Sequence, residues 1–177
     1  SEIEIYDQNL RLTAPVQRLV LNSAGAVTIG HVNTLPSGNL QQLGAVVSVP
    51  SLTVTAGGKL TVGSGSVIAT SLPGSAMQID AASAEIVGSV YAGATLAASG
   101  TATWVSTGSA ELRISGNVVI GGMGVSDSGT AVTRGGNLQA SGRLSIVAGG
   151  LLTENSLSAL RVDATGGGLL TEIGRAH

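Results

Sequence analysis

Short aliphatic clusters recur along this chain roughly every six to nine residues, separated by Gly, Ser, Thr and Ala. Successive side chains of a strand point to opposite faces, so an apolar-polar-apolar triplet buries its outer residues and exposes the middle one. The pattern predicts very short strands stacked as the rungs of a β-solenoid. The triplets are Ile3-Glu4-Ile5, Leu10-Arg11-Leu12, Leu19-Val20-Leu21, Leu52-Thr53-Val54, Leu60-Thr61-Val62, Met77-Gln78-Ile79, Leu112-Arg113-Ile114, Leu144-Ser145-Ile146 and Leu160-Arg161-Val162.

Helices and hairpins fit this pattern less well. Gly and β-branched residues disfavour helix, and the apolar spacing does not hold a period of 3.6 residues. Hairpins call for strands of about five or six residues and turns such as Asn-Gly or Asp-Gly, two dipeptides that this chain lacks. In a coil, each short strand instead pairs with the strands one turn above and below it. We therefore predict an all-β parallel β-helix.

Two internal echoes suggest the length of a coil. The stretch Gly149–Glu154 recurs as Gly167–Glu172, and at a somewhat longer separation Ser83–Ile86 is echoed by Ser109–Leu112. The separations indicate coils of roughly 20 residues, which is short for a repeat architecture. They predict about eight or nine coils in a single solenoid segment over residues 1–177, on the order of 40 Å long.

Two stretches interrupt the rhythm. Residues 31–50 contain Pro36 and Pro50, and residues 121–136 are rich in Gly and Ser and contain Asp127. We expect loop excursions from the coil in both places. Binding residues often lie on such loops, although tolerated insertions are the commoner explanation.

Composition narrows the class of protein. The chain is 43% hydrophobic and contains no Phe, one Trp and two Tyr, so Val, Leu, Ile and Ala must fill a narrow core. The net charge of -2 and the absence of basic clusters argue against a nucleic-acid partner. No apolar run approaches the roughly 18 residues that span a bilayer, so no membrane insertion is expected. The absence of Cys excludes disulfides and thiolate metal sites.

The ends of the chain indicate a piece of a longer protein. The first residues contain neither an initiator Met nor a secretion signal, which we expect to lie elsewhere. An open coil end is an unpaired strand edge and needs a cover. For residues 3–21 and 169–173, the expected cover is flanking repeats of the same polypeptide.

Histidine chemistry is limited because the chain contains only His31 and His177. A Ser-His-Asp site centred on His31 has only the abundance of Ser in its favour, and such a site is recognised by geometry rather than by composition. A polar loop histidine is the preferred interpretation.

Acidic residues offer the better catalytic hypothesis. Asp80, Glu85 and Glu111 could stand on neighbouring rungs about 4.8 Å apart, and glycosidases use two carboxyl groups at comparable separations. Clefts for acidic glycans usually also contain several aromatic and basic groups. Here the candidates for those roles are only Trp104 and Arg113. We therefore expect solvated charges at strand-middle positions, no catalytic residues and no enzyme.

The stretch Gly121–Asp127 approaches the Gly-Gly-x-Gly-x-Asp repeat of calcium-binding β-rolls. Ser126 occupies the place of the ligand Asp, and the match occurs once, so we expect a Gly-rich turn, no metal and no cofactor. Trp104 could be a sugar-stacking ring, although a buried filler is the preferred interpretation. The candidate binding residues are Trp104, Arg134 and His31.

Three phrases, Ala56–Val62, Gly136–Ile146 and Ala148–Leu152, resemble the degenerate repeats of filamentous-haemagglutinin-type proteins. These are large bacterial exoproteins secreted by two-partner systems. The resemblance is strongest over residues 52–172. It implies a right-handed parallel β-helix within an extracellular surface filament that serves adhesion, biofilm cohesion or contact-dependent toxin delivery in virulence.

The Asn-Pro-Asn-Leu and Asn-Pro-Asn-Gly motifs of that family's secretion domain are absent. The resemblance therefore implies a shaft segment, with a surface glycan or receptor as the external partner, and it transfers no binding residue. Two alternatives stay open. One is a polysaccharide-processing β-helix enzyme, and the other is a self-associating fibre subunit whose assembly depends on Leu170 or Ile173.

Overall fold

The computed structural model shows an all-β chain. It describes residues 1–11, 18–70, 76–92, 94–96, 104–106, 109–140, 144–162 and 170–171. These residues form strands and turns but no helix, and so no helix that could cross a membrane.

Most strands have three to five residues and are rich in β-branched side chains, which pack well on a pleated surface. In chain order the strands are β1 (Ile3–Ile5), β2 (Asn9–Arg11), β3 (Leu19–Ser23), β4 (Val27–Ile29), β5 (His31–Thr34), β6 (Leu40–Leu43), β7 (Val46–Val49), β8 (Leu52–Val62), β9 (Val67–Thr70), β10 (Ala76–Ile86), β11 (Ser89–Ala92), β12 (Ala94–Leu96), β13 (Trp104–Ser106), β14 (Ser109–Ile114), β15 (Val118–Ile120), β16 (Gly122–Val125), β17 (Ala131–Arg134), β18 (Asn137–Ala140), β19 (Leu144–Ala148), β20 (Leu152–Glu154), β21 (Ala159–Val162) and β22 (Leu170–Thr171).

Two parallel sheets hold most of these strands. The main sheet has the order β1-β4-β8-β10-β14-β19-β22, with β3, β15 and β20 paired alongside, and the second sheet has the order β2-β7-β9-β11-β18-β21. Every pairing within these two sheets, as described, is parallel. The prediction of an all-β chain with parallel strands is confirmed.

The chain visits these sheets in a recurring order, which we call a round. It first forms the half of the main sheet that contains β3, β14 and β19 (the first half), then the half that contains β4, β15 and β20 (the second half), and then the second sheet. Strands β8 and β10, of 11 residues each, span both halves. The described residues contain five complete rounds, namely round 1 (β3, β4, β7), round 2 (β8, β9), round 3 (β10, β11), round 4 (β14, β15, β18) and round 5 (β19, β20, β21). This order is compatible with a β-helix, whereas the expected eight or nine coils are not confirmed.

Aliphatic side chains form columns between the two sheets. In one column the register places five of them at equivalent positions of successive rounds: Leu21, Val54, Ile79, Leu112 and Ile146. All five are buried, and the polar middle residues of the triplets face outward, as Thr53 and Arg113 do. The predicted inward and outward faces are therefore confirmed for the triplets whose side chains the structure describes.

The two echoes do not mark equivalent positions of successive rounds. The shorter echo would place Leu170 over Leu152, but Leu170 pairs with Leu144, and Leu152 pairs with Val118. The longer echo would place Ala110 over Ala84, but these residues lie in different halves of the main sheet. The echoes were misleading because both halves of the main sheet contain the same short apolar-polar sequence pattern.

Three antiparallel hairpins leave the parallel sheets. The pair β5–β6 lies within the stretch 31–50, whose last strand, β7, belongs to the second sheet, and the pair β16–β17 lies within 121–136. Both stand where the chain passes from the main sheet to the second sheet, which we call the hairpin corner. In rounds 2 and 3 the same corner is crossed by residues 63–66 and 87–88.

The third hairpin, β12–β13, had no signal in the sequence pattern. Its strands lie beside β9 and β11, on the second sheet. A small outer cluster of Val67, Ala69 and Tyr91 forms there, with Ala69 and Tyr91 buried. Trp104 begins β13, but its side chain lies outside the described part of the structure, so neither interpretation of this residue is tested.

One column of buried aliphatic residues continues into an acidic residue in round 5. Ile29, Val62, Ile86 and Ile120 are fully buried at equivalent positions of rounds 1 to 4. The next position in register is Glu154 of β20, which is exposed. An acidic residue thus stands at an inward position of the last described round of this half-sheet.

Candidate binding groove

The groove lies at the hairpin corner, between β5 and β16. Its floor is a row of outward residues on the second half of the main sheet, in the order Glu4, Thr28, Thr61 and Glu85, which the parallel register aligns. Adjacent strands lie about 4.8 Å apart, so the row samples four strands in succession. The cavity has a volume of about 220 Å³.

The walls are mainly apolar. Val32 of the first hairpin, Met123 of the second hairpin and Val87 of the tight turn in round 3 line the cavity. Met123 is 49% exposed, so its side chain is accessible to a ligand in the groove. The lining therefore combines apolar walls with a polar floor, an arrangement common in small-ligand sites.

Each carboxylate of the floor contacts a nitrogen of a neighbouring side chain. His31 Nδ1 lies 2.8 Å from Glu4 Oε1, and this pair is ionic when the histidine is protonated. Lys59 Nζ donates to Glu85 Oε2 at 2.6 Å. The ring of Tyr6 lies against His31, with ring centroids 5.0 Å apart. These groups are substantially exposed, so the pairs orient side chains more than they stabilise the fold.

Several polar atoms of the floor keep hydrogen-bonding capacity. Each carboxylate uses one oxygen in its ion pair and retains the other. Among the described residues, the hydroxyls of Thr28 and Thr61 have no hydrogen-bond partner. The groove can therefore donate hydrogen bonds to a ligand and accept them from it.

Of the two candidate binding residues whose side chains the structure describes, one lines this groove. His31 lines the cavity. Arg134 instead donates from Nη2 to the carbonyl oxygen of Val125 at 3.2 Å, which braces the second hairpin. His177, the other histidine of the chain, lies outside the described residues.

The candidate catalytic acids are divided between two places. Arg113 Nε lies 2.9 Å from Asp80 Oδ1 and 3.3 Å from Glu111 Oε1, so these two acids share one guanidinium. They lie on the first half of the main sheet, whereas Glu85 lies on the second half and pairs with Lys59. An open groove of about 490 Å³ is lined in part by Asp80 and Arg113. Glu85 and Glu111 are not among its lining residues.

The calcium-like stretch has a local structural role. Gly122–Val125 forms β16, and Ser126 begins the turn that follows. Ser126 Oγ lies 2.7 Å from Thr130 Oγ1 and 2.9 Å from Ser128 Oγ, and it accepts a hydrogen bond from the backbone N–H of Thr130. Ser126 therefore stabilises the hairpin turn at the position where the β-roll repeat would place a calcium ligand.

Sequence reasoning missed most of the groove. Glu4 and Thr61 were recognised as outward residues, but nothing in the sequence aligned them with Thr28, because the three residues lie on strands that are far apart along the chain. No sequence pattern indicated Met123 as a groove residue. Knowledge of the register would have been needed to find this row.

Comparisons with protein-family models, with curated proteins and with solved structures found no match to this chain. The resemblance to filamentous-haemagglutinin-type repeats therefore stays a prediction.

Proposed function

We propose that the chain winds as a right-handed parallel β-helix and serves as a shaft segment of a large secreted bacterial surface protein. In this role it would support adhesion, biofilm cohesion or contact-dependent toxin presentation at the cell exterior. The sequence resemblance supplies the handedness and the cellular setting. The fold supplies the physical support.

The observation that carries the proposal is the parallel register between successive rounds. Val54, Ile79 and Leu112 show the pattern: each pairs with its counterpart in the next round, and all three are buried. Stability in such an architecture comes mainly from neighbouring rounds, so rounds can be added without redesigning a central core. This property suits a spacer whose partners are flanking repeats of the same polypeptide.

A non-enzymatic role is supported by the arrangement of the acids. A glycosidase needs one carboxyl group as acid and another as base or nucleophile. Asp80 and Glu111 instead share Arg113, and Glu85 is paired with Lys59. The fibre-subunit alternative rests on Leu170 and Ile173, whose side chains lie outside the described part of the chain.

An external contact, with a surface glycan or a receptor, belongs in the groove that contains His31. The free hydroxyls of Thr28 and Thr61 and the unused carboxylate oxygens offer hydrogen bonds, and the apolar walls offer packing. Such a lining is adequate for a weak adhesive contact that gains strength through repetition along a filament.

Electron microscopy of the full polypeptide tests the shaft. Deleting residues 19–162, which form the five complete rounds, should shorten the filament by roughly 24 Å at about 4.8 Å per round, without breaking it. As a control, deleting residues 35–39, the tip of the first hairpin, should leave the filament length unchanged. Fragmented or collapsed filaments, or an unchanged length after the large deletion, would contradict a shaft role.

A further inference from the structure

The two hairpins at the hairpin corner belong to rounds that do not touch in the sheets. In the main sheet, β3 and β4 of round 1 pair with β8, and β14 and β15 of round 4 pair with β10. Rounds 2 and 3 therefore separate rounds 1 and 4 everywhere in the described sheets. Any direct contact between rounds 1 and 4 must come from outside the sheets.

The hairpin tips make that contact. The backbone N–H of Leu40 donates to the carbonyl oxygen of Gly129 at 2.7 Å. A Cβ placed on Gly129 would lie 2.8 Å from the Cβ of Asn39, so the two turns are packed against each other. The cleft at the junction, about 340 Å³, is lined by residues of both tips.

Both hairpins also rest on the tight turn of round 2. A Cβ on Gly124 of the second hairpin would lie 2.7 Å from Ser64 Oγ. On the first hairpin, Gln42 packs so closely against Gly65 that a Cβ there would overlap its amide nitrogen. Both hairpins thus contact the tight turn of residues 63–66.

The two turns have the same construction. Gly38 donates to Leu35 O at 2.9 Å, and Gly129 donates to Ser126 O at 3.0 Å. Both glycines have positive φ, +86° and +80°, which favours glycine at these positions. They differ in their surroundings, because a Cβ on Gly38 would meet nothing within 4 Å.

From these contacts we infer that the hairpins form a lock that makes rounds 1 to 4 open as one unit. A chain of rounds held only by nearest neighbours can open from either end, one round at a time. The lock ties round 1 to round 4, so round 1 cannot open without releasing the contact with Leu40 and Asn39. This inference does not depend on the cellular role proposed above.

Hydrogen exchange on the full chain tests the lock with a matched pair of variants. Gly129→Ala and Gly38→Ala share the strain of a side chain at positive φ, and only Gly129→Ala disrupts the contact between the tips. We expect amides of β3, β4 and β7 to exchange about ten-fold faster in Gly129→Ala than in Gly38→Ala, with β19 equal in both. Equal rates in round 1, or a change confined to the tips, would overturn the inference.

A cysteine pair provides the converse test, because it joins the two hairpin tips instead of separating them. The chain has no cysteine, so the double variant Asn39→Cys and Gly129→Cys has one possible disulfide. The two Cβ positions are 2.8 Å apart, so the tips would have to separate by about 1 Å to reach the roughly 3.8 Å of a disulfide. Oxidation should slow exchange throughout rounds 1 to 4 and reduction should reverse it. Slowing in the hairpins alone would contradict the lock.

Discussion

The inner columns and the hairpin corner follow opposite rules, although they adjoin each other. Val62, Ile86 and Ile120 occupy one column, and all are fully buried aliphatic residues. Directly after them the corner takes residues 63–66 in round 2, residues 87–88 in round 3 and residues 121–136 in round 4. Thus side-chain type is restricted in the column, while chain length is free in the corner.

The physical reason lies in two different costs. Removing an aliphatic side chain from the column loses buried apolar area and leaves a cavity, at a cost of about 2–5 kcal/mol. Lengthening a connection costs only about 0.6 kcal/mol for each doubling of its length. The columns can therefore stay in register while the number of residues between successive strands varies widely.

The largest effect should come from a charge in a column. Ile114→Asp places an ionised carboxylate at a position that is 2% exposed, between Ala81 and Ala148 of the adjacent rounds. We expect a loss on the order of 4 kcal/mol in the free energy of unfolding. Denaturant titration measures it. A loss below about 1 kcal/mol would show that this position does not face the interior.

A smaller effect should come from the tight turn of round 3. A Cβ on Gly88 would overlap the carbonyl oxygens of Gly63 and Ser66, so Gly88→Ala should cost about 1–3 kcal/mol as the turn shifts. Ser37→Ala, in the exposed turn of the first hairpin, serves as the control and should change stability by less than about 0.5 kcal/mol. If both variants melt together, the tight turn is as tolerant as the hairpins.

The smallest effect should come from the outer face of the same sheet. Arg113 is adjacent to Ile114, but its side chain is 53% exposed, and its ion pairs with Asp80 and Glu111 lie on the surface. Arg113→Ser should therefore change the free energy of unfolding by less than about 1 kcal/mol, less still in high salt. A loss equal to that of Ile114→Asp would mean that the two faces are assigned the wrong way round.

The same contrast explains which features were predictable. The triplets revealed which side chains face inward, because an alternation such as Leu52-Thr53-Val54 depends only on strand geometry. Register was not predictable, since the sequence separation between paired residues changes from round to round: Val54 pairs with Ile79, but Ile79 pairs with the more distant Leu112. The groove depends on register, so it was hidden too.

Contacts between distant residues were equally inaccessible to the sequence. His31 meets Glu4 from the far side of β2, β3 and β4, and Leu40 meets Gly129 across an even longer stretch of chain. No local pattern marks either pair, because each depends on how far a corner connection projects from the sheets. The loop-like composition near Pro36 and Asp127 indicated excursions but not that their tips would touch.

Among the described residues, β20 is paired on one side only, and Glu154 stands at an inward position of this strand. A strand from another molecule that docked there in the same register without supplying a cation would bury this carboxylate unpaired. Such burial is strongly unfavourable, and natural sheets use inward-pointing charges to discourage accretion at their margins. One acidic side chain can thereby discourage strands of other molecules from pairing with β20 over the aliphatic columns.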